Sequence, residues 1–496
     1  MRVRTNVAVY GNLSEFVAAL RDAGELTTIE TEVDPRLEIA EIADRCVKSA
    51  TGGPALLFTK VKGSKIPLLI NAFASQRRMS LALGVARLDD LGDRIRQLFK
   101  LLPGAGGGAP NVFSALAGAK DLLNVFPHAV RSGPCQEVVA EGSDVDLFEL
   151  PIITCWPLDA GPFITLPLVF TKDPRGGSQN CGVYRMQVYD KQTTGMHWQK
   201  HKHGREHQLA AEFGARMPVA VAIGADPAVT YAATAPLPGG FDELAFAGFL
   251  RGRGVNVVQC RTNDLRVPAD AEIVLEGYVD NAELRREGPF GDHTGVYSLA
   301  DDFPVFHVTC VTRRRSPIYQ TTIVGRPPME DAWLGKASER LFLPILQQLL
   351  PEVRDYNLPV EGGFHNLAIV SLHKRYPGHA KKVMYALWGL GHMMMLTRNI
   401  LVVDADVDVQ DVRHVAWVAL NNVDAGRDLV FAPGPVDELD HAGPLALLGT
   451  KLGIDATRKD ASEGYAREWP PDIVMSDDVR ALVTKRWDEF GIRLHS

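Results

Sequence analysis

No C-x-x-C pair occurs among the six cysteines of the chain (Cys46, Cys135, Cys155, Cys181, Cys260 and Cys310), so neither a disulfide framework nor a zinc ribbon is indicated. A reducing cytoplasm is the expected setting. Basic residues are not in excess: 53 lysines and arginines against 60 acids leave a net charge of -7, which offers nucleic acid no electrostatic footprint. Long apolar runs are missing too. The most apolar segment, residues 386–396, is far short of a membrane span and contains His392. The N-terminal MRVRTNVAVYGNLSEF lacks the apolar core and small-residue cleavage site of a signal peptide. No G-x-S-x-G and no Walker lysine is present, and Gly252-Arg253-Gly254 leads into a β-like VNVVQC where a dinucleotide turn needs a helix.

What remains is an ordinary globular composition, 46% hydrophobic and 23% charged, on a 496-residue chain too long for one core. Two or three domains are expected. The first third alternates helix and strand: Asn12 and Glu15 form a capping box ahead of an amphipathic helix, ELTTIETEV reads as a strand and LEIAEIADRCVKS as a helix. GAGGGAP, residues 104–110, cannot hold a regular element and marks a seam. Beyond it, short β-branched runs separated by Gly, Pro and Asp predict a β-rich platform, barrel or sandwich. From about residue 330 the α/β alternation returns, beginning with a helix over 334–350.

The richest stretch is Gln179 to His207. VYRMQVYD alternates like a half-buried strand, with Val183, Arg185, Gln187 and Tyr189 on one face, and four histidines (His197, His201, His203, His207) follow within eleven residues. A histidine cluster in a polar loop is often only solvated surface. H-W-Q-K-H also carries Trp198 where a zinc peptidase needs its glutamate, which leaves a zinc hydrolase a weak second reading. One histidine with the Asn180 amide oxygen and a carboxylate would suit a divalent ion holding a phosphate. Asp242 and Glu243 head an apolar helix, where acids also serve as plain helix N-terminal charge. Glu287-Gly288-Pro289-Phe290-Gly291-Asp292 sets two acids five apart in a loop that can turn both toward one point, and Arg185 is the cation available to them. Asp404, Asp406 and Asp408 imitate an EF-hand, but Val409 and Val415 replace its glycine and glutamate, so they read as a solvated strand end.

Seven segments, QNCGVYRMQ, GMHWQKHKHG, GFDELAFAG, EIVLEGYV, EGPFGDHTG, VGRPP and YPGHAKKVM, resemble in order the UbiD family of reversible aromatic and α,β-unsaturated acid decarboxylases, which use prenylated FMN. The resemblance runs from about residue 10 to Trp487. It implies an α/β multidomain chain: an N-terminal α/β region (1–125), a central flavin-binding split β-barrel (126–325) and a C-terminal α/β oligomerisation domain (326–496). Asn180, His203 and Glu243 correspond to ligands of a Mn2+ (or Mg2+) ion that ties the flavin phosphate to the protein, with K+ alongside. Relatives also use the position of His201, so the choice between the two histidines stays open. Val183, Tyr184, Arg185, His197, Trp198, Gln199, Lys202, His203 and Arg398 correspond to cofactor contacts.

The resemblance makes Arg185, Glu287 and Asp292 the catalytic network. Carbon that loses CO2 needs an electron sink, which a cofactor supplies. Asp292, with a raised pKa, is expected to return a proton to that carbon while Glu287 and Arg185 orient the carboxylate. An aspartate in EGPFGD, followed by HTG, points to hydroxyaryl or polycyclic acids, including the polyprenyl-hydroxybenzoates and hydroxynaphthoates of quinone biosynthesis. Implied partners are a UbiX-type flavin prenyltransferase and further copies of the chain, as dimer or hexamer. A conventional flavin oxidoreductase and a non-catalytic assembly subunit are the competing classes.

Overall fold

A computed structural model describes residues 10–101, 124–177, 179–199, 203–212, 214–237 and 241–492; the glycine-rich seam at 104–110, His201 and Lys202 lie outside them, as does the His203 side chain. In the N-terminal region Asn12 accepts from the Glu15 N–H and caps the Leu13–Asp22 helix, whose Leu13, Phe16, Val17 and Leu20 are buried. Leu26–Ile29 lies parallel to Ala55–Phe58, which runs antiparallel to Leu68–Ile70. The fourth strand of this sheet is Tyr319–Gln320, supplied by the far end of the central region. The two regions therefore interleave in space.

The middle of the chain builds one large antiparallel sheet. Its strands neighbour one another in the order Thr193–Gly195, Asp301–Arg313, Ile273–Glu287, Arg216–Ile223, Leu168–Lys172 and Gln179–Val183, and Val138–Glu141 adds to Asp301–Arg313. Among the described residues the sheet is open: Thr193–Gly195 and Gln179–Val183 end its path without pairing to each other. The strand pairing closes no barrel among the described residues. Register shifts between Glu276 and Gly277 and between Asp280 and Leu284 interrupt the two longest strands. Such irregularities bend and twist a strand, curling the sheet without closing it. Ile273–Glu287 runs on past EIVLEGYV because DNAELRRE keeps the period of two and meets no glycine before Gly288.

The Glu330–Leu349 helix crosses to the last domain and is pinned at its start by Glu330, which accepts from the Phe73 N–H (2.7 Å) and the Thr322 hydroxyl (2.7 Å). Beyond it lies a five-stranded sheet in the order Val353–Asn357, Leu367–Leu372, Asn399–Asp404, Leu448–Asp455, Leu429–Pro435. Its three middle strands are parallel and its outer two antiparallel. Asp404, Asp406 and Asp408 do mark a strand end: Asp404 and Asp406 bind Arg458, and Asp408 accepts from the Gln410 N–H.

Candidate active site

Arg185 stands where the Gln179–Val183 strand has stopped and Met186–Gln187 has begun a separate pairing with Phe163–Ile164. The one continuous strand expected there is broken, yet the alternation survives: Arg185, Gln187 and Tyr189 all turn toward the Glu287 loop. Arg185 Nε donates to Glu287 Oε1 (3.2 Å), Nη1 bonds Asp292 Oδ2 and Nη2 donates to the Ser298 hydroxyl (2.9 Å). The guanidinium also sits 4.7 Å above the Phe290 ring. Gln187 Oε1 accepts from the Gly288 N–H (2.8 Å), and the charge of Glu287 helps raise the Tyr189 hydroxyl pKa, after burial.

Glycine is required twice in the loop. Gly288 has φ +86°, and a Cβ on Gly291 would lie 2.1 Å from Trp156. Trp156 and Asp159, which the sequence did not single out, hold this corner: Asp159 accepts from the N–H groups of Gly291 (2.8 Å), Trp156 (2.9 Å) and Cys155 (3.0 Å). His197 Nδ1 lies 2.8 Å from Glu287 Oε1, opposite Arg185. The other oxygen, Glu287 Oε2, is buried with no hydrogen-bond partner among the described residues.

Asp292 departs from expectation. Burial pushes its carboxyl up, but hydrogen bonding to His293 and the Arg185 charge outweigh burial and hold it well below the usual carboxylate range. The raised pKa expected for one of two neighbouring acids is therefore corrected: Arg185 and His293 both bond Asp292, and an adjacent positive charge favours the ionised form.

Asn180, second residue of the Gln179–Val183 strand, meets Glu243. Asp242 caps the Glu243–Arg251 helix by accepting from Leu244 and Ala245, which places the Glu243 side chain at the helix mouth. The Asn180 amide nitrogen donates to Glu243 Oε1 (3.1 Å). Burial pushes the Glu243 carboxyl up to about 8. A cavity of about 430 Å³ opens beside them, with Lys172 and Arg266 on its wall. Among the described residues no three His, Cys, Asp or Glu side chains converge as a metal cage. With the Asn180 amide turned over, its oxygen would join the buried Glu243 carboxylate as the hard-oxygen part of a set suited to Mn2+ or Mg2+.

The remaining expected contacts divide. The Tyr184 hydroxyl accepts from the Gly204 N–H (3.2 Å), and Trp198 Nε1 is buried with no hydrogen-bond partner among the described residues. His207 faces inward, its Nδ1 2.9 Å from the Thr171 hydroxyl, and serves packing. Val183 ends its strand, Gln199 follows Trp198 in the connecting loop, and Arg398 is gripped by Asp440 (2.7 and 3.0 Å) in the last domain.

An arginine shared between two buried acids is an arrangement that a carboxy-lyase can use. The chain matches the 3-octaprenyl-4-hydroxybenzoate carboxy-lyase N-terminal domain over residues 17–95, its Rift-related domain over 128–327 and its C-terminal domain over 332–456, and belongs to this UbiD family. It is 53% identical over 486 residues to an uncharacterised protein of Archaeoglobus fulgidus, covering 97% of this chain and 98% of that one. Its fold is similar to the vanillic acid decarboxylase of Sedimentibacter hydroxybenzoicus in closed form (TM-score 0.83, 28% identity, 97% and 98% covered). It is also similar to the UbiD-class enzyme HmfF of Pelotomaculum thermopropionicum in complex with FMN (TM-score 0.77, 29% identity, 93% and 97% covered), whose evolved dimeric form is in complex with prFMN.

Proposed function

We propose that the chain catalyses the reversible, non-oxidative decarboxylation of an aromatic acid, hydroxyaryl or polycyclic, with prenylated FMN. The observation that carries this reading is the Arg185 guanidinium spanning Glu287 and Asp292, with Glu287 Oε2 unpaired and buried. The likeness to a vanillic acid decarboxylase favours a hydroxyaryl substrate, and a polyprenyl-hydroxybenzoate or hydroxynaphthoate of quinone biosynthesis falls in that class. Prenylated FMN, when bound, supplies the electron sink that departing CO2 requires. Arg185 orients the carboxylate, Glu287 fixes Arg185 from below and is itself held by His197, and Asp292 delivers a proton to the vacated carbon. Buried apolar walls at Phe290 and Tyr184 keep water from the reacting carbon. The bends in the two long strands support a split-barrel frame around the flavin.

Asn180, Glu243 and His203 or His201 would hold Mn2+ or Mg2+ against the flavin phosphate, with K+ nearby, and a UbiX-type prenyltransferase would supply the cofactor. Glu243→Gln keeps the shape and removes the charge. Metal and flavin should be lost together, by about 100-fold in affinity; metal analysis and flavin absorbance of the purified variant measure it, and full retention of both would sink the assignment. After co-expression with a flavin prenyltransferase, a panel of aromatic acids is screened for CO2 release. Absence of turnover on every acid, with prenylated flavin demonstrably bound, overturns the function.

Homo-oligomerisation is supported by the last described residues. Ile473, Val474, Met475, Leu482, Trp487 and Phe490 are all exposed, an apolar arm that nothing among the described residues covers. A monomer mass by light scattering would refute it. No helix among the described residues is long and apolar enough to cross a membrane, which suits a cytoplasmic site of action.

A further inference from the structure

Asp292 is aimed at the reaction but held ionised, so a proton for delivery must be kept elsewhere. Its Oδ1 accepts from the His293 backbone N–H (2.8 Å) and lies 3.0 Å from His293 Nδ1. The far nitrogen of the same ring, His293 Nε2, lies 2.8 Å from His365 Nε2, across 72 residues of sequence. A contact this short between two imidazole nitrogens needs one N–H and one lone pair. His365 enters from the last domain on the turn at 359–366, beside Phe364. Phe364 has φ +51° and packs its ring 5.5 Å from His293. A phenylalanine in the left-handed region is strained, a cost met where the surroundings fix a side chain in place.

We propose that the His293–His365 pair, closed only when the last domain docks on the central one, stores the proton that Asp292 delivers. This rests on the decarboxylase reading above. In the loaded state His293 carries protons on both nitrogens, Nδ1–H toward Asp292 and Nε2–H toward the lone pair of neutral His365. Asp292 takes the Nδ1 proton and passes it to the carbon that CO2 has left. His293 remains neutral with its Nε2–H still held by His365. One proton from water, admitted as product leaves, reloads Nδ1, so each CO2 released consumes one proton and no redox partner. His293 and His365 are positioning residues: neither touches the carbon.

The charges around the pair agree with that assignment. Facing it are Asp292 with Arg185 on one side, Asp331 at the start of the Glu330–Leu349 helix, and Asp437 and Asp440, the latter bound to Arg398. Burial lowers the His293 pKa, but the Asp292 hydrogen bond and the surrounding acids raise it above the ordinary histidine value. Burial and the His293 charge push His365 down to about 4. One proton is thus shared out unequally between two rings.

The flavin-loaded enzyme is assayed across pH as wild type, His293→Gln, His365→Leu and His365→Gln. A stored imidazolium gives kcat an alkaline limb at the His293 pKa. His365→Leu, which removes the acceptor, should move that limb down by about one pH unit, and His365→Gln, which restores an acceptor, should return it. His293→Gln should abolish the limb and lower kcat with the flavin spectrum unchanged. A limb that stays in place in all three variants overturns the proposal while the decarboxylase reading stands. Histidine-labelled NMR titration of the same proteins reads the pair without turnover. His293 titrating above free histidine in wild type and lower in His365→Leu supports the store; His293 titrating below free histidine refutes it even in an active enzyme.

Discussion

Asp292→Asn should lower turnover by about 10²–10⁴-fold, the contribution of a positioned general acid, while flavin absorbance stays close to wild type. Arg185 and the His293 backbone N–H bond opposite oxygens of Asp292, so the single amide oxygen keeps the His293 contact and gives up the one to Arg185. What disappears is a carboxyl that can take up a proton and release it again. Single-turnover measurement of CO2 release against bound flavin separates the two effects. Wild-type turnover in this variant would remove Asp292 from the chemistry.

Arg185→Ala should have the larger structural cost. Glu287 has no exposed side-chain surface and Asp292 has 7%, so removing the guanidinium leaves two buried acids facing one another. Losing one member of a buried charge network costs about 3–5 kcal/mol. The pH dependence fixes the cause. In the wild type the folded pKa of Asp292 lies below its unfolded value, so its stabilisation is complete above the unfolded pKa and is lost as pH falls through the folded one. In the variant burial is unopposed by Arg185, the carboxyl moves upward, and acidification relieves the folded state. The gap in melting temperature between the two proteins should therefore narrow from pH 7 toward pH 4. A gap independent of pH would show that packing, not charge, is what Arg185 provides. Turnover should be undetectable in either case.

The sequence carried much of this site because its chemistry sits in short, peculiar segments. Two acids separated by Gly-Pro and by Gly have few reasons to occur together, and Gly288 and Gly291 prove to be placed where a side chain would be strained or would strike Trp156. Helix and strand periodicity located the outer domains for the same reason: the Glu330–Leu349 helix and the Leu367–Leu372 and Asn399–Asp404 strands follow their apolar patterns closely. The central sheet was harder. Its short strands gave a β-rich reading but not an order, and barrel closure depends on which edges find partners.

The residues that escaped notice are those whose role exists only in space. Asp159 is one acid among 60 acidic residues in the sequence, and becomes the clamp of the Gly291 corner because three backbone N–H groups converge on it. His365 lies in an unremarkable GGFHN turn, and gains meaning only when a separate domain brings it to His293. The chain's residue order by itself determined the family, the identity of the arginine and the two acids, and the loop able to present them. Tertiary structure alone decided that Asp292 holds its proton less readily than a free carboxyl, because ionisation answers to burial and to every neighbour within a few ångströms, and Arg185 comes from a segment a hundred residues away.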